Sequence, residues 1–346
     1  MTKSNPGNFL EDFAPGQTIA HATPRTVTEG DVALNIALTG ARYALFSADS
    51  FAQDCGLPSA PVDPLLVFHI VFGKSVPDIS LNAVANLGYA EGRFLAPVYP
   101  GDTLSAVSEV LGVKQNSNGK TGIVTVRTEG FNQDGAPVLS YVRWVMVNKR
   151  DANAAVTDAP AKTPASAVTS SELLMPPGLD FSAYNFALAG SSHAFEDYEI
   201  GEKIDHVDGM TLEEAEHQLA TRLYQNTARV HFDALAQKDS RFGKRLIYGG
   251  VAISLARALA FNGLANAAFM LAINGGRHVN PVFAGDTLYA WSEVLAKEDL
   301  GSAGALRLRL VAAKKPCTHF PAKNPAGEYD PDVVLDFDYW AAIPKR

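Results

Sequence analysis

The sequence predicts an α+β protein built from two tandem units, each a central helix wrapped by a curved antiparallel sheet. Two observations carry this. The segment Pro97-Val-Tyr-Pro-Gly-Asp-Thr-Leu-Ser-Ala-Val-Ser-Glu-Val-Leu111 recurs as Pro281-Val-Phe-Ala-Gly-Asp-Thr-Leu-Tyr-Ala-Trp-Ser-Glu-Val-Leu295, identical at 11 of 15 positions, with Gly101 answered by Gly285 after 184 residues. An earlier block repeats as well: Leu10-Glu-Asp-Phe13, Gly16, Ile19 and His21 reappear as Phe195-Glu-Asp-Tyr198, Gly201, Ile204 and His206, offset by 185. Two blocks in the same order at nearly one spacing mean a duplicated domain, not a solenoid of short units.

The elements follow in the same order in both copies. Thr26-Val-Thr-Glu29 and Thr211-Leu-Glu-Glu214 have the Ser/Thr-x-x-Glu form of a capping box and predict helix starts. Long apolar helices are expected over 65–72 and 251–261. In the first copy, strands over 122–130 and 138–147 flank Asn132-Gln-Asp-Gly135, a hairpin turn signal. In the second, Leu306-Arg-Leu-Arg-Leu310 alternates with a period of two, and 333–340 reads as a closing strand. The units span 1–155 and 191–346. The linker, 156–190, is rich in Ala, Thr, Ser and Pro up to Ser171 and is expected to bury little there; 181–188 is more apolar and is expected to pack on the second unit.

Composition narrows the class. With 47% apolar and 19% charged residues the chain is globular, and a net charge of −8 argues against nucleic acid as a partner. The stretch 251–273 is the most apolar, but it holds Arg257, Asn262 and Asn266, so no membrane span is expected. The opening eight residues are polar and lack a signal core. Cys55 and Cys317 stand far apart without metal-ligand spacing and read as reduced thiols, so a cytoplasmic location is expected. No P-loop or dinucleotide glycine motif occurs.

The repeated Pro-Val-x-x-Gly-Asp-Thr-Leu block resembles the strand entry of MaoC-like dehydratases, whose fold is the hot-dog; two copies imply a double hot-dog. That family carries a Gly-Asp-x-Asn-Pro-x-His motif, in which Asp and His flank the attacking water and a nearby backbone N–H receives the thioester oxygen. In the second copy, Tyr224-Gln-Asn-Thr-Ala-Arg-Val-His231 matches it, with His231 at the His position and Asn226 in place of Asp; Ala228 and Arg229 replace Asn and Pro. Ile247-Tyr-Gly-Gly250 resembles the family His-Gly segment, with Tyr248 for His. The first copy has Ala41, Phe46 and Pro61-Val-Asp-Pro64 at these places, so it is expected to be degenerate and non-catalytic. Longer stretches, among them Asn82-Ala-Val-Ala-Asn-Leu-Gly-Tyr-Ala-Glu-Gly-Arg93, Leu139-Ser-Tyr-Val-Arg-Trp-Val-Met146 and Ser254-Leu-Ala-Arg-Ala-Leu-Ala-Phe-Asn-Gly-Leu-Ala-Asn266, are similar to the mesaconyl-CoA hydratase (β-methylmalyl-CoA dehydratase) branch of that family. The resemblance implies an acyl-CoA substrate, with coenzyme A as part of it and no separate cofactor or metal. The implied reaction is reversible dehydration of β-methylmalyl-CoA to mesaconyl-CoA.

Such chemistry needs a base, an oxyanion donor and an oriented water. His231 suits the base, since imidazole is tunable around an ordinary pKa near neutrality. Gly249 or Gly250, at a helix start, suits the donor. Asn226 orients, since an amide is no base. The substrate carries a second carboxylate that an aspartate would repel and an asparagine would not; Arg229, Arg222 or Lys244 are candidates to pair with it, and Tyr248 to line its pocket. Plainer readings stand beside these. His69 reads as a satisfied core residue. His21 and His206, being duplicated, read as structural, and Asp102 and Asp286 as turn residues. His278 and Asn280 are candidates for the pocket wall. Alternative functions are an (R)-specific hydratase of monocarboxylic enoyl-CoA, a thioesterase, or a non-catalytic acyl-CoA-binding module; a further homodimer is also left open.

Overall fold

The computed structural model describes residues 3–346 except Ala322 and Pro325. Met1 and Thr2, part of the polar opening stretch, lie outside the described residues. Ten strands form one sheet. In the first copy they are β1 (Thr18–Thr26), β2 (Ala83–Phe94), β3 (Thr103–Gln115), β4 (Thr121–Phe131) and β5 (Pro137–Asn148). In the second they are β6 (Lys203–Thr211), β7 (Phe269–His278), β8 (Thr287–Asp299), β9 (Ala303–Ala313) and β10 (Val333–Pro344). The order β1-β3-β4-β5-β2-β7-β10-β9-β8-β6 reads the same for each copy from its own outer edge. The halves join where β2 and β7 run antiparallel, pairing Tyr89 with Gly276 and Arg93 with Ala272. Joined so, the copies leave no free edge at their shared boundary.

Local chemistry explains the elements. In β9, Leu306, Leu308 and Leu310 are fully buried, while Arg307 and Arg309 face outward and form paired hydrogen bonds with Asp338 and Asp336 of β10. The β4–β5 turn is closed by the Asn132 side chain, which accepts from the amides of Asp134 and Ala136; Gly135 takes the left-handed φ of 75°. The repeated Gly-Asp-Thr-Leu segments are turns: Asp102 and Asp286 each accept, at 2.8 Å, from the amide three residues earlier. His21 and His206 are buried and bond to Ser108 and Ser292 at equivalent places, which is a structural role.

Four longer helices matter for the site: α1 (Glu29–Thr39), α2 (Pro64–Ser75), α3 (Glu214–Leu223) and α4 (Gly249–Leu259). The central helices α2 and α4 share one apolar core that spans both copies, and they touch through His69 Nε2 and Ser254 Oγ, 2.8 Å apart. The capping boxes fall elsewhere than the sequence suggests. Thr28 and Asp31, not Thr26 and Glu29, cap α1, because Thr26 still belongs to β1. Helix α3 has no side-chain cap, since Thr211 ends β6 and Glu213 takes the cap position. In the connection over 156–190, Phe181 and Tyr184 pack as expected, but Val168, in the part expected to bury little, is buried too. Val168, Leu173, Leu179, Phe181 and Tyr184 are buried in a cluster with Phe46, Phe51, Phe269 and Trp340, drawn from both copies. Trp340 donates its indole N–H to the Val168 carbonyl, and the Val168 amide donates to Asn274. The segment is a strap whose apolar residues are spaced too widely to show a period.

Candidate active site

The site begins where α3 ends. Gln225 adopts a left-handed φ of 54°, and the Asn226 amide turns back to the Thr221 carbonyl at 2.9 Å. This tight exit buries Asn226, which is 1% exposed. Its Oδ1 accepts from the Ala228 amide at 3.1 Å, while its Nδ2 is buried with no partner among the described residues. A donor left in that condition costs about 1–3 kcal/mol and calls for a ligand or water. A single helical turn, Arg229–Phe232, then presents His231. Its Nδ1 lies 2.9 Å from the Leu246 carbonyl, so Nδ1 carries the proton and Nε2 keeps a free lone pair. Burial holds the imidazole down at about 4, against a weaker opposing effect of the Leu246 bond. His231 is therefore neutral at pH 7.

Helix α4 supplies the second part. Its N-cap residue, Tyr248, makes no side-chain cap, and its own N–H is taken by His217 Nε2 at 2.9 Å. The amides of Gly249 and Gly250 start the helix and have no intrahelical acceptor. The matching helix start in the first copy is closed. Pro64 has no N–H, and Asp63 caps the Leu65 amide at 2.7 Å. The degenerate position is filled as well, with Phe46 buried against Phe269, ring centroids 5.7 Å apart.

A cavity of about 540 Å³ lies over the open helix end, with walls from both copies. The second copy contributes Asn226, Arg229, His231, Tyr248, Gly249, His278 and Asn280; the first contributes Asn82, Asn86, Tyr89 and Asn148. Seven of the ten residues singled out for the site in the sequence thus meet here, His278 and Asn280 among them. Gly250 does not line the cavity. It is buried behind it, where a Cβ would lie 2.4 Å from the Tyr248 ring and 2.6 Å from His69. Arg222 and Lys244 are exposed and also stand outside the lining. The inward face of α3 carries His217, Ala220, Thr221 and Leu223, which turns Arg222 to solvent, and the Lys244 ammonium rests over Phe283. Arg229 is the cation left at the cavity among those three. The first-copy wall residues were not read from the sequence, nor was His217. A comparison of the copies would have singled out His217, which stands where the first copy has Val32.

The family model for mesaconyl-CoA hydratase matches residues 2–318. The chain belongs to the mesaconyl-CoA hydratase family. It is 60% identical to a β-methylmalyl-CoA dehydratase of Chloroflexus aurantiacus, over 99% of both chains. It is also 60% identical to a mesaconyl-CoA hydratase of Cereibacter sphaeroides, over 99% of this chain and 100% of that one. A crystal structure of a MaoC domain protein dehydratase from C. aurantiacus superposes with a TM-score of 0.97 at 59% identity, covering all of both chains. A Mycobacterium tuberculosis protein with a double hot-dog fold superposes at 0.78 with 24% identity, covering 97% of this chain and 98% of that one. Like that protein, this mesaconyl-CoA hydratase family member is a double hot-dog.

Proposed function

We infer that the cavity is where β-methylmalyl-CoA loses water to form mesaconyl-CoA, and where the reverse hydration takes place. The observation that carries this reading is the pairing of a free, neutral His231 Nε2 with a helix end left open at Gly249, in one copy only. In the hydration direction His231 Nε2 takes a proton from water, and the hydroxide oxygen bonds to the β carbon. The C=C electrons move onto the thioester oxygen, where the Gly249 N–H meets the growing charge. The protonated His231 then returns its proton to the α carbon, so water is consumed whole and the thioester bond stays intact. Asn226 Nδ2 holds the water or the substrate, being a buried donor that needs an acceptor. Arg229 stands at the lining to attract the distal carboxylate. The asparagine at 226 also disfavours the thioesterase alternative, which asks for a carboxylate there.

Among the described residues no helix is long and apolar enough to cross a membrane. The two free thiols, Cys55 and Cys317, support a reducing, cytoplasmic setting. Both cavity walls come from one chain.

The test follows enoyl absorbance and free thiol together after mesaconyl-CoA is added. Absorbance lost without thiol release is the expected result; thiol release would instead mean hydrolysis. His231→Ala should lower the rate by about 10²–10⁴-fold. Full activity in that variant refutes the assignment.

A further inference from the structure

A second imidazole shares the cavity with His231. His278 ends β7 and lines the cavity wall, directly against the first residue of α4. A Cβ built on Gly249 would lie 2.2–2.6 Å from Cε1, Nε2 and Nδ1 of the His278 ring. Helical Cα–Cβ bonds tilt toward the N-terminus. A ring in that position therefore sits on the side of the helix end to which the free amides point. An anion held by the Gly249 N–H would stand beside this ring.

The ring's second contact comes from the other copy. The Tyr89 hydroxyl lies 3.3 Å from His278 Nε2 and has no other hydrogen-bond partner among the described residues. Burial raises the Tyr89 phenol well above its ordinary range, so it keeps its proton. A buried hydroxyl proton needs an acceptor. If it is given to Nε2, the imidazole proton must stand on Nδ1.

We propose that His278 donates a second hydrogen bond to the thioester oxygen, beside the Gly249 amide, and that Tyr89 of the first copy positions it by fixing the tautomer. This rests on the hydratase reading above. Burial and the nearby His231 hold His278 down at about 4, so it acts as a neutral donor and not as an acid. The duplication supports the role. At the matching strand end the first copy has Phe94, which is buried, so that copy lacks the base, the open helix end and the imidazole together. The proposal also gives the non-catalytic copy a task in the chemistry.

His231→Ala, which slows turnover, provides a complex in which bound mesaconyl-CoA can be read before it is consumed. In it the thioester C=O stretch, read by ¹³C-edited infrared difference spectroscopy, should be shifted to lower frequency than in solution. His231→Ala/His278→Phe should move it back toward the solution value. In otherwise unaltered protein, His278→Phe should lower kcat by about 10²–10³-fold with little change in KM, as expected for one oxyanion donor. His278→Gln, which keeps an N–H, should recover part of both signals, and Tyr89→Phe should lose less than His278→Phe. Circular dichroism identifies any misfolded variant, and His278→Ala offers the same readout with a smaller side chain. A stretch that His278 does not move, in protein that hydrates mesaconyl-CoA, overturns the proposal. Wild-type protein that binds mesaconyl-CoA without hydrating it overturns the reaction on which the proposal rests.

Discussion

Asn226 and Gly249 show how far single residues decide the chemistry. Asn226 keeps the acceptor that an aspartate would offer to Ala228, but it places a neutral donor, Nδ2, where a second carboxylate oxygen would stand. A substrate with its own carboxylate favours the amide. Asn226→Asp should cut kcat/KM for mesaconyl-CoA by roughly tenfold more than for a monocarboxylic enoyl-CoA, the counterpart of about 1.4 kcal/mol of repulsion. Equal losses with the two substrates, measured side by side, would sink the carboxylate argument. Gly249→Ala tests the close approach of helix and ring. Its Cβ must displace either the His278 ring or the helix start, so hydration should fall by at least about 10²-fold. A fully active alanine variant would mean the two can part without consequence.

At the level of elements, the contrast between α2 and α4 is what separates the copies. Both helices are buried and both begin at matching places, yet one end is capped by Asp63 and the other is left open and held from behind by His217. Replacing His217 with the first copy's valine would leave the buried Tyr248 N–H without an acceptor. His217→Val should cost about 1–3 kcal/mol in urea denaturation and lower turnover as well, because the open end loses its anchor. The strap over 168–184 gives the opposite expectation. Phe181→Ala removes a ring packed on Tyr184 far from the cavity lining, and should cost about 3–5 kcal/mol of stability with kcat unchanged at temperatures where the protein stays folded. A drop in kcat there would mean the strap reaches the site.

For the whole molecule, burial of histidine sets the response to acid. Burial lowers His69 and His217 to about 3, and His206, His231 and His278 to about 4. In the unfolded chain each would titrate near about 6.5. Between these limits the unfolded chain binds protons that the folded one refuses. The contribution is fully present above about 6.5 and is lost as the pH falls toward 4, and for His69 and His217 toward 3. Asp63 opposes this as a single group: burial raises it to about 6, so its protonated form stabilises in acid and that gain is lost as the pH rises. The balance favours the histidines. At pH 5, buried rings such as His69, His206 and His217 should each cost on the order of 1–2 kcal/mol relative to pH 7. Calorimetry at the two pH values should therefore show a lower melting temperature at pH 5, and an unchanged one would contradict this account.

The duplication, the two apolar central helices, the alternating strands and the survival of His231 with Asn226 in one copy are all legible in the amino-acid sequence. These are legible because they are local. A period of two or of 3.6, a turn asparagine, or a matched pair of blocks needs no knowledge of what lies opposite. Which side chains face one another is set by contacts between distant parts of the chain. Pairing of β2 with β7 brings Tyr89 to His278, nearly 190 residues away, and so makes the first copy a wall of the second copy's cavity. The same packing turned Arg222 and Lys244 to solvent, set Gly250 behind the lining and pinned the linker down by a few buried apolar side chains. Each of these depends on contacts between residues remote in the chain, and no local pattern encodes them.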